Sequence, residues 1–358
     1  MKYCLWLHMI EGYGAMTAAK MLECGYSAED VFHMKREELE SFPFLKRNIK
    51  EKILLAQREK DPDELLEKLT KKEIHFYSLE KGVYPEKLRR LNDAPYGLFC
   101  KGALPDERRF TVGVVGARNC SSYGRAIAKE IGEELGGNGV QVISGLARGV
   151  DSYAQRGTVA AGGKSFAILG CGVNICYPKE NYELFYDIEN NGGIISEYPP
   201  DTEPRAPHFP LRNRIISGLS DCTIVVEARK KSGSLITAEY ALEQGREVYA
   251  VPGQIRSSLS EGCHKLIHQG AGIYYSSSEF LKDMSLDFEQ HRIHSEEHNL
   301  EKEEKLVYSS ITLLPKSSME IQEESGLERR EVLRILLNLQ LKNMILELGK
   351  GRYIRIRT

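Results

Sequence analysis

The sequence is short of several things at once. Its 358 residues include one tryptophan, and 49 lysines and arginines against 51 aspartates and glutamates leave a formal charge of only −2. A protein that coats nucleic acid through bulk charge is basic, so any nucleic-acid or nucleotide binding here must come from a local patch. No apolar run approaches the roughly 18–20 residues that span a bilayer. The opening MKYCLWLHMIEGYG is too polar for a secretory signal. A cytoplasmic protein without membrane insertion is expected. The eight cysteines (Cys4, Cys24, Cys100, Cys120, Cys171, Cys176, Cys222 and Cys263) contain no CxxC pair and no histidine cluster beside them. A structural zinc site is not expected, nor any cofactor, and in a reducing compartment the thiols read as small buried residues.

What is present divides into segments. Residues 1–68 are helical in pattern, with Gly12-Tyr13-Gly14 leading into Ala15–Leu22 and a second helical stretch at Arg47–Ala56. Helix, Gly-bearing hairpin and helix resemble the SAM-like or helix-hairpin-helix class, although Pro43 in the second hairpin removes a donor N–H and favours a bundle that only mediates contacts. Residues 69–281 form the main domain, with a lead-in over 69–105 carrying short extended pieces at Ile74–Leu79 and Tyr96–Cys100. Strands are expected at Val112–Val115, Val140–Ser144, Phe166–Leu169, Ile194–Glu197, Thr223–Val226 and Val248–Val251. Helices at Tyr123–Leu135, Ser152–Ala161, Tyr182–Glu189, Arg214–Leu219 and Leu235–Gln244 alternate with them. Short apolar strands alternating with helices mean βαβ units, an α/β fold with an extended Rossmann-like, doubly wound sheet. The charged stretch 282–304 reads as a linker. Residues 305–358 read as helix, turn, helix and hairpin, a winged helix. Between 316 and 358 nine basic residues face six acidic ones, a mild surplus that leaves DNA and protein contacts both open.

Three glycine-rich loops compete for a phosphate. Gly113 and Gly116 are not spaced as GxGxxG, and Gly170-Cys171-Gly172 lacks a third glycine before the next helix. Neither is followed by the acidic residue of a dinucleotide site. The stretch Gly157–Ser165, GTVAAGGKS, approaches a P-loop but sits after a helix and before a strand, the reverse of P-loop order, and reads as a helix C-cap. Polar and basic residues remain at the strand ends, where open α/β sheets bind ligands. From Pro204 to Lys231 the basic residues Arg205, Arg212, Arg214, Arg229, Lys230 and Lys231 face only Asp221 and Glu227. Glycine and serine at helix starts offer N–H groups to anions, and Phe209 with Tyr177 offers stacking surface.

Taken in order, these loops resemble the DNA processing protein A (DprA, or Smf) family. The matching stretches are VGARNCSSYGR (Val115–Arg125), SGLARGVD (Ser144–Asp151), GCGVNICYPKEN (Gly170–Asn181), HFPLRNRIISGLS (His208–Ser220), SGSLITAEYA (Ser232–Ala241) and VPG (Val251–Gly253). The resemblance implies a non-enzymatic binder of single-stranded DNA that dimerises and loads the RecA recombinase onto strands taken up in natural transformation. It implies Arg118 and Lys179 as principal phosphate contacts, with Gly116, Gly145, Arg148, Asn181, Arg212, Asn213, Arg214, Ser232 and Ser234 shaping the pocket; Asn213 or Arg214 could instead tie loops together. In Gly262–Ile267, His264 stands where the family pattern favours asparagine, which leaves a dimer contact there open. The same fold also carries cytokinin-activating phosphoribohydrolases, whose GGxGT loop and glutamate can be laid on Gly233–Glu239. Ser234 and Ile236 replace two of those glycines, which speaks against hydrolysis or nucleotide sensing as the alternative.

Overall fold

The structure is a computed structural model that describes residues 1–284, 300–312, 315–342, 344–349 and 351–355. At its centre is a nine-stranded sheet: β1 (His75–Ser78), β2 (Gly97–Gly102), β3 (Thr111–Val115), β4 (Gln141–Ser144), β5 (Ser165–Leu169), β6 (Gly193–Ser196), β7 (Cys222–Val225), β8 (Glu247–Ala250) and β9 (Gly272–Ile273). Their spatial order is β1-β2-β6-β5-β4-β3-β7-β8-β9. The strands from β6 across to β9 are all parallel, and β2 and β1 extend the β6 side in antiparallel register. The parallel part of the sheet starts at β3, winds outward through β4, β5 and β6 to reach β2, then returns to lay β7, β8 and β9 on the other side. Loops leaving β3 and β7 therefore diverge, and a crevice opens between them at the carboxyl ends of the strands.

Every residue of β3 to β7 is buried, which is why these strands read as unbroken apolar runs instead of alternating ones. The alternation survives in which face each side chain serves. Val112, Val114 and Val142 pack under the helix Ser122–Gly137, whereas Val115, Ile143 and Val225 pack under the helices His208–Leu219 and Gly233–Glu243. The helices Ser122–Gly137 and Val150–Ala160 meet backbone to backbone, since a Cβ on Gly132 would overlap the Ala154 carbonyl.

Six helices precede the sheet: Lys2–His8, Ala15–Glu23, Ala28–His33, Arg36–Glu40, Arg47–Glu59 and Pro62–Lys71. The last runs through residue 68, where the helical segment was expected to stop. Their core is continuous with the sheet, because Trp6, Leu39 and Ile53 belong to the same buried cluster as Phe99, Ala167 and Leu169. Half-buried His8 fastens the two parts. Its Nε2 lies 2.8 Å from the Glu197 carbonyl oxygen and its ring packs on Phe76 and Phe99. At the other end, helices Lys302–Ser310, Ser318–Ser325 and Arg329–Leu341 pack with a small sheet of β10 (Lys316–Ser317), β12 (Arg352–Arg355) and β11 (Ile345–Glu347). A Ser317–Glu320 capping box starts the second of these helices and left-handed Gly326 (φ +69°) ends it, the punctuation that separates the two helical runs. Most of the linker expected at 282–304 falls outside the described residues; the described parts of it overlap the helices Ser277–Asp283 and Lys302–Ser310.

Two expectations change. Strand β9 is two residues long and carries no pattern of its own. The helix expected from Arg214 begins at His208. Pro207 and Pro210 look like breakers in the sequence, but Pro210 occupies the third helical position, where an N–H has no intrahelical partner to lose. The GTVAAGGKS stretch does close a helix, with Gly162 left-handed at φ +72° after Val150–Ala160.

The thiols split by burial, and Cys24 departs from the expectation by being exposed. Burial pushes Cys100, Cys171 and Cys263 up to about 12 and Cys222 higher still. In native protein at pH 8, a disulfide reagent should label Cys24 promptly and the half-buried Cys120 and Cys176 slowly. Buried Cys100, Cys171, Cys222 and Cys263 should react only after unfolding in urea. Prompt labelling of Cys100 or Cys222, read by peptide mass spectrometry, would contradict this packing.

Candidate nucleic-acid interface

The crevice between β3 and β7 is an open cleft of about 700 Å³. The loop after β3 forms one wall. Gly116 lies against Val150, with too little room for a side chain, and the Ala117 carbonyl accepts the Val150 N–H at 3.2 Å. At the loop's far end Ser121 caps the helix Ser122–Gly137 through the Gly124 N–H at 3.0 Å. Ser121 is held in turn by buried Glu227, which accepts its N–H at 2.8 Å and its hydroxyl at 2.6 Å. Anchored at both ends, the loop lifts Arg118 and Asn119 into solvent. The Arg118 guanidinium lies 5.4 Å from the centre of the Phe209 ring, and Phe209 stacks on Tyr177 at 5.5 Å and 29°.

Arg212 forms the floor. It is 4% exposed and projects from the helix His208–Leu219 beneath the ends of β4 and β5. Its Nη1 donates to the Gly145 carbonyl at 3.0 Å and to the Ile168 carbonyl, while Nε has no hydrogen-bond partner among the described residues. Gly145 is glycine because the guanidinium occupies the volume a Cβ would need. Buried Asp151 accepts the Gly145 N–H at 3.1 Å. Burial raises its carboxyl above the ordinary range, and the Arg212 charge opposes that rise. Burial brings Arg212 down to about 10, so it stays charged at neutral pH.

The loop after β7 closes the other side. Ser232 caps the helix Gly233–Glu243 by accepting the Ser234 N–H, and its hydroxyl lies 2.8 Å from that of Ser234. Asn213 donates to the Gly233 carbonyl at 3.2 Å, tying this helix start to the floor helix. Exposed Arg229 and Lys231 stand on the rim.

The expected residues thus separate. Gly116, Arg118, Arg212, Asn213, Ser232 and Ser234 line the cleft; Gly145 lies behind Arg212. Arg148, Lys179, Asn181 and Arg214 are not in its lining. Arg148 forms a two-pronged pair with Glu180 at 2.6 and 2.7 Å. Asn181 is buried and donates to the Leu146 carbonyl at 3.0 Å. Arg214 faces away, paired with Glu197 at 2.8 Å and Asp93 at 3.3 Å. Lys179 is exposed two residues beyond the lining residue Tyr177, and neither it nor Arg118 makes an ion pair among the described residues. The run of six cations between 204 and 231 is therefore not one patch: Arg212 is internal and Arg214 is neutralised. Asp151, Asn119 and Thr237 also line the cleft; none was singled out as a contact, although each lies inside a matching stretch, SGLARGVD, VGARNCSSYGR and SGSLITAEYA respectively. Asp151 is the only carboxylate in the lining among the described residues. Glu239, the acid of the hydrolase alternative, is exposed on its helix outside the lining.

Residues 75–285 match the family model for the DNA recombination-mediator protein A. The DNA processing protein DprA of Streptococcus pneumoniae is 42% identical over 207 residues, 58% of this chain and 73% of that one. DprA of Bacillus subtilis is 39% identical over 214 residues, 59% of this chain and 71% of that one. Protein Smf of Escherichia coli is 43% identical over 211 residues, 59% and 56% of the two chains. Among solved structures, the S. pneumoniae DprA structure superposes with a TM-score of 0.69 at 34% identity, covering 81% of this chain and 99% of that one. A Helicobacter pylori DNA processing protein A structure, described for its single-stranded DNA binding mode, superposes with a TM-score of 0.53 at 27% identity, covering 60% and 98%.

Replacing Arg212 with leucine leaves Asp151 without its counter-charge and two carbonyls without a donor, and should cost about 3–5 kcal/mol in urea unfolding. Asp151 is then raised further in the folded state. A raised carboxyl contributes stability that is complete below the unfolded value near 3.9 and is lost as pH rises through the folded value. The variant's deficit should therefore widen from pH 5 to pH 8; a deficit independent of pH would contradict the Arg212–Asp151 coupling.

Proposed function

The chain belongs to the DNA recombination-mediator protein A family, and from that premise we propose that it binds single-stranded DNA in the cleft between β3 and β7. We further propose that it does so as a non-enzymatic protein of the cytoplasm, a dimer that loads the RecA recombinase onto incoming strands in natural transformation. One observation carries the binding step. Exposed Arg118, Arg229 and Lys231 surround a cleft whose only lining carboxylate among the described residues, Asp151, is buried. A phosphate chain meets positive charge there without a facing exposed carboxylate. The Tyr177–Phe209 stack beside Arg118 adds an apolar face for a base. The H. pylori relative, whose structure is described for its binding of single strands, supports the choice of ligand. Arg118, Lys179 and the serines Ser232 and Ser234 are the phosphate contacts in this reading. Arg212, Gly145, Asn181 and Arg214 hold the loops that present them. Release of a base from a nucleoside monophosphate is not expected, because Glu239 stands outside the cleft and Asp151 is covered.

Single-strand affinity should fall with salt, with a log–log slope of about −0.7 for each phosphate neutralised. Arg118→Ala should flatten that slope by about 0.7 and weaken binding roughly tenfold. Titrations of a labelled oligothymidylate at about 0.05 and 0.2 M NaCl measure both quantities. An unchanged isotherm for the variant would overturn the assignment. Loading is read separately, as RecA ATP hydrolysis on single strands covered by a single-strand-binding protein, which this chain should accelerate.

A further inference from the structure

The loop after β5 does not end at the cleft. It passes Tyr177 on the cleft wall, makes a single turn at Lys179–Asn181 and enters the helix Tyr182–Asn191. Because β6 follows that helix in parallel with β5, the helix starts at the carboxyl edge of the sheet and runs down its flank. Its first residue therefore stands on the same rim as the cleft. Two side chains on this helix are out of keeping with their surroundings. Tyr182 is 56% exposed and Tyr186 44%, one turn apart on the same face, with ring centres 4.7 Å apart and their hydroxyls 3.1 Å apart. Tyr177 is 43% exposed, and Lys179 stands in solvent between it and the pair. Large aromatic side chains are scattered singly on ordinary surfaces; three within ten residues around an unpaired lysine, continuous with a cationic cleft, are not scattered.

We propose that Tyr182 and Tyr186 form a second binding site for single-stranded nucleic acid, on which bases leaving the cleft past Lys179 stack as the strand turns over the rim of the sheet. This rests on the reading of the cleft given above. The chemistry is stacking, not phosphate capture. The same helix carries exposed Glu183 and Asp187, which keep the backbone away from the helix surface, while every base has a face to lay on a ring. Arg148, beside the turn, is held by Glu180 and leaves Lys179 as the cation at the crossing point. A strand too short to fill more than the cleft has no use for the site; a longer one does.

The test compares labelled oligothymidylates of about six and about twenty nucleotides, titrated by anisotropy against the full chain. Replacing both Tyr182 and Tyr186 with alanine should weaken the longer strand roughly tenfold and the shorter less than about twofold. Replacing both with phenylalanine should retain the affinity for the longer strand, because stacking needs the ring and not the hydroxyl pair. Arg118→Ala should weaken both lengths. Loss of affinity for the longer strand in Arg118→Ala but not in the double alanine variant would overturn the second site and leave the cleft standing. Equal loss at both lengths in the double alanine variant would also overturn it, by placing the tyrosines in the cleft. Failure of the unaltered chain to bind either strand removes the cleft and the second site together. Thermal melting of each variant, expected to be unchanged for exposed side chains, separates these outcomes from misfolding.

Discussion

A guanidinium buried under the sheet's carboxyl edge sets the terms for everything around it. Arg212 reaches up from the helix His208–Leu219 and bonds carbonyls at the ends of two neighbouring strands. A charge in that position is tolerable only with a counter-charge and donors used, and Asp151, equally buried, supplies the first of these at the start of the next helix. The pair also dictates backbone. Gly145 cannot carry a side chain beside Arg212, and Gly149, left-handed at φ +77°, turns the chain so that Asp151 points back at the Gly145 N–H. Loop shape, cleft floor and the sign of the local field thus follow from one interaction.

Around that floor the cations divide into those held by the protein and those left for a ligand. Arg148 and Arg214 each meet carboxylates within 3 Å, so their fields are largely cancelled before any ligand arrives. Arg118 is treated differently. Its loop is anchored at Ala117 and Ser121 and its neighbour is a ring, which attracts a cation without neutralising it. The presence of Arg212 below it reinforces the point, since two guanidinium groups facing one space repel each other until an anion enters. Preorganisation of this kind places the electrostatic cost in the folding of the protein, not in the binding step.

The sheet was largely legible in advance, and for a physical reason. Strands buried on both faces read as short apolar runs, and six of them, from Val112 to Val251, appear within one or two residues of their expected bounds. Elements whose signal depends on partners were not legible. Strand β9, two residues long, exists because β8 offers it an edge. The helix His208–Leu219 was shortened by six residues because proline is a breaker in general and harmless in a first turn. Of the residues singled out at strand ends, Gly116, Arg118, Arg212, Asn213, Ser232 and Ser234 line the cleft, yet a sequence cannot show pairing. Arg214 and Arg118 look alike as letters; one faces Glu197 and Asp93, the other faces solvent.

Near-neutral composition then acquires a meaning it did not have alone. A chain with 49 basic and 51 acidic residues has no long-range field with which to gather DNA. Selectivity must arise where a few uncancelled cations meet a surface that prefers one ligand form. In the proposed reading, paired bases in a duplex would hide their faces, whereas a single strand would expose them to Phe209 and Tyr177 beside Arg118. In that reading few charges would release few counterions, so affinity per site would be modest and occupancy would depend on how many such clefts a strand engages at once. Under that reading the protein would gain most from a ligand that is long and unpaired, and the exposed rim beyond Tyr177 is where that added length would lie.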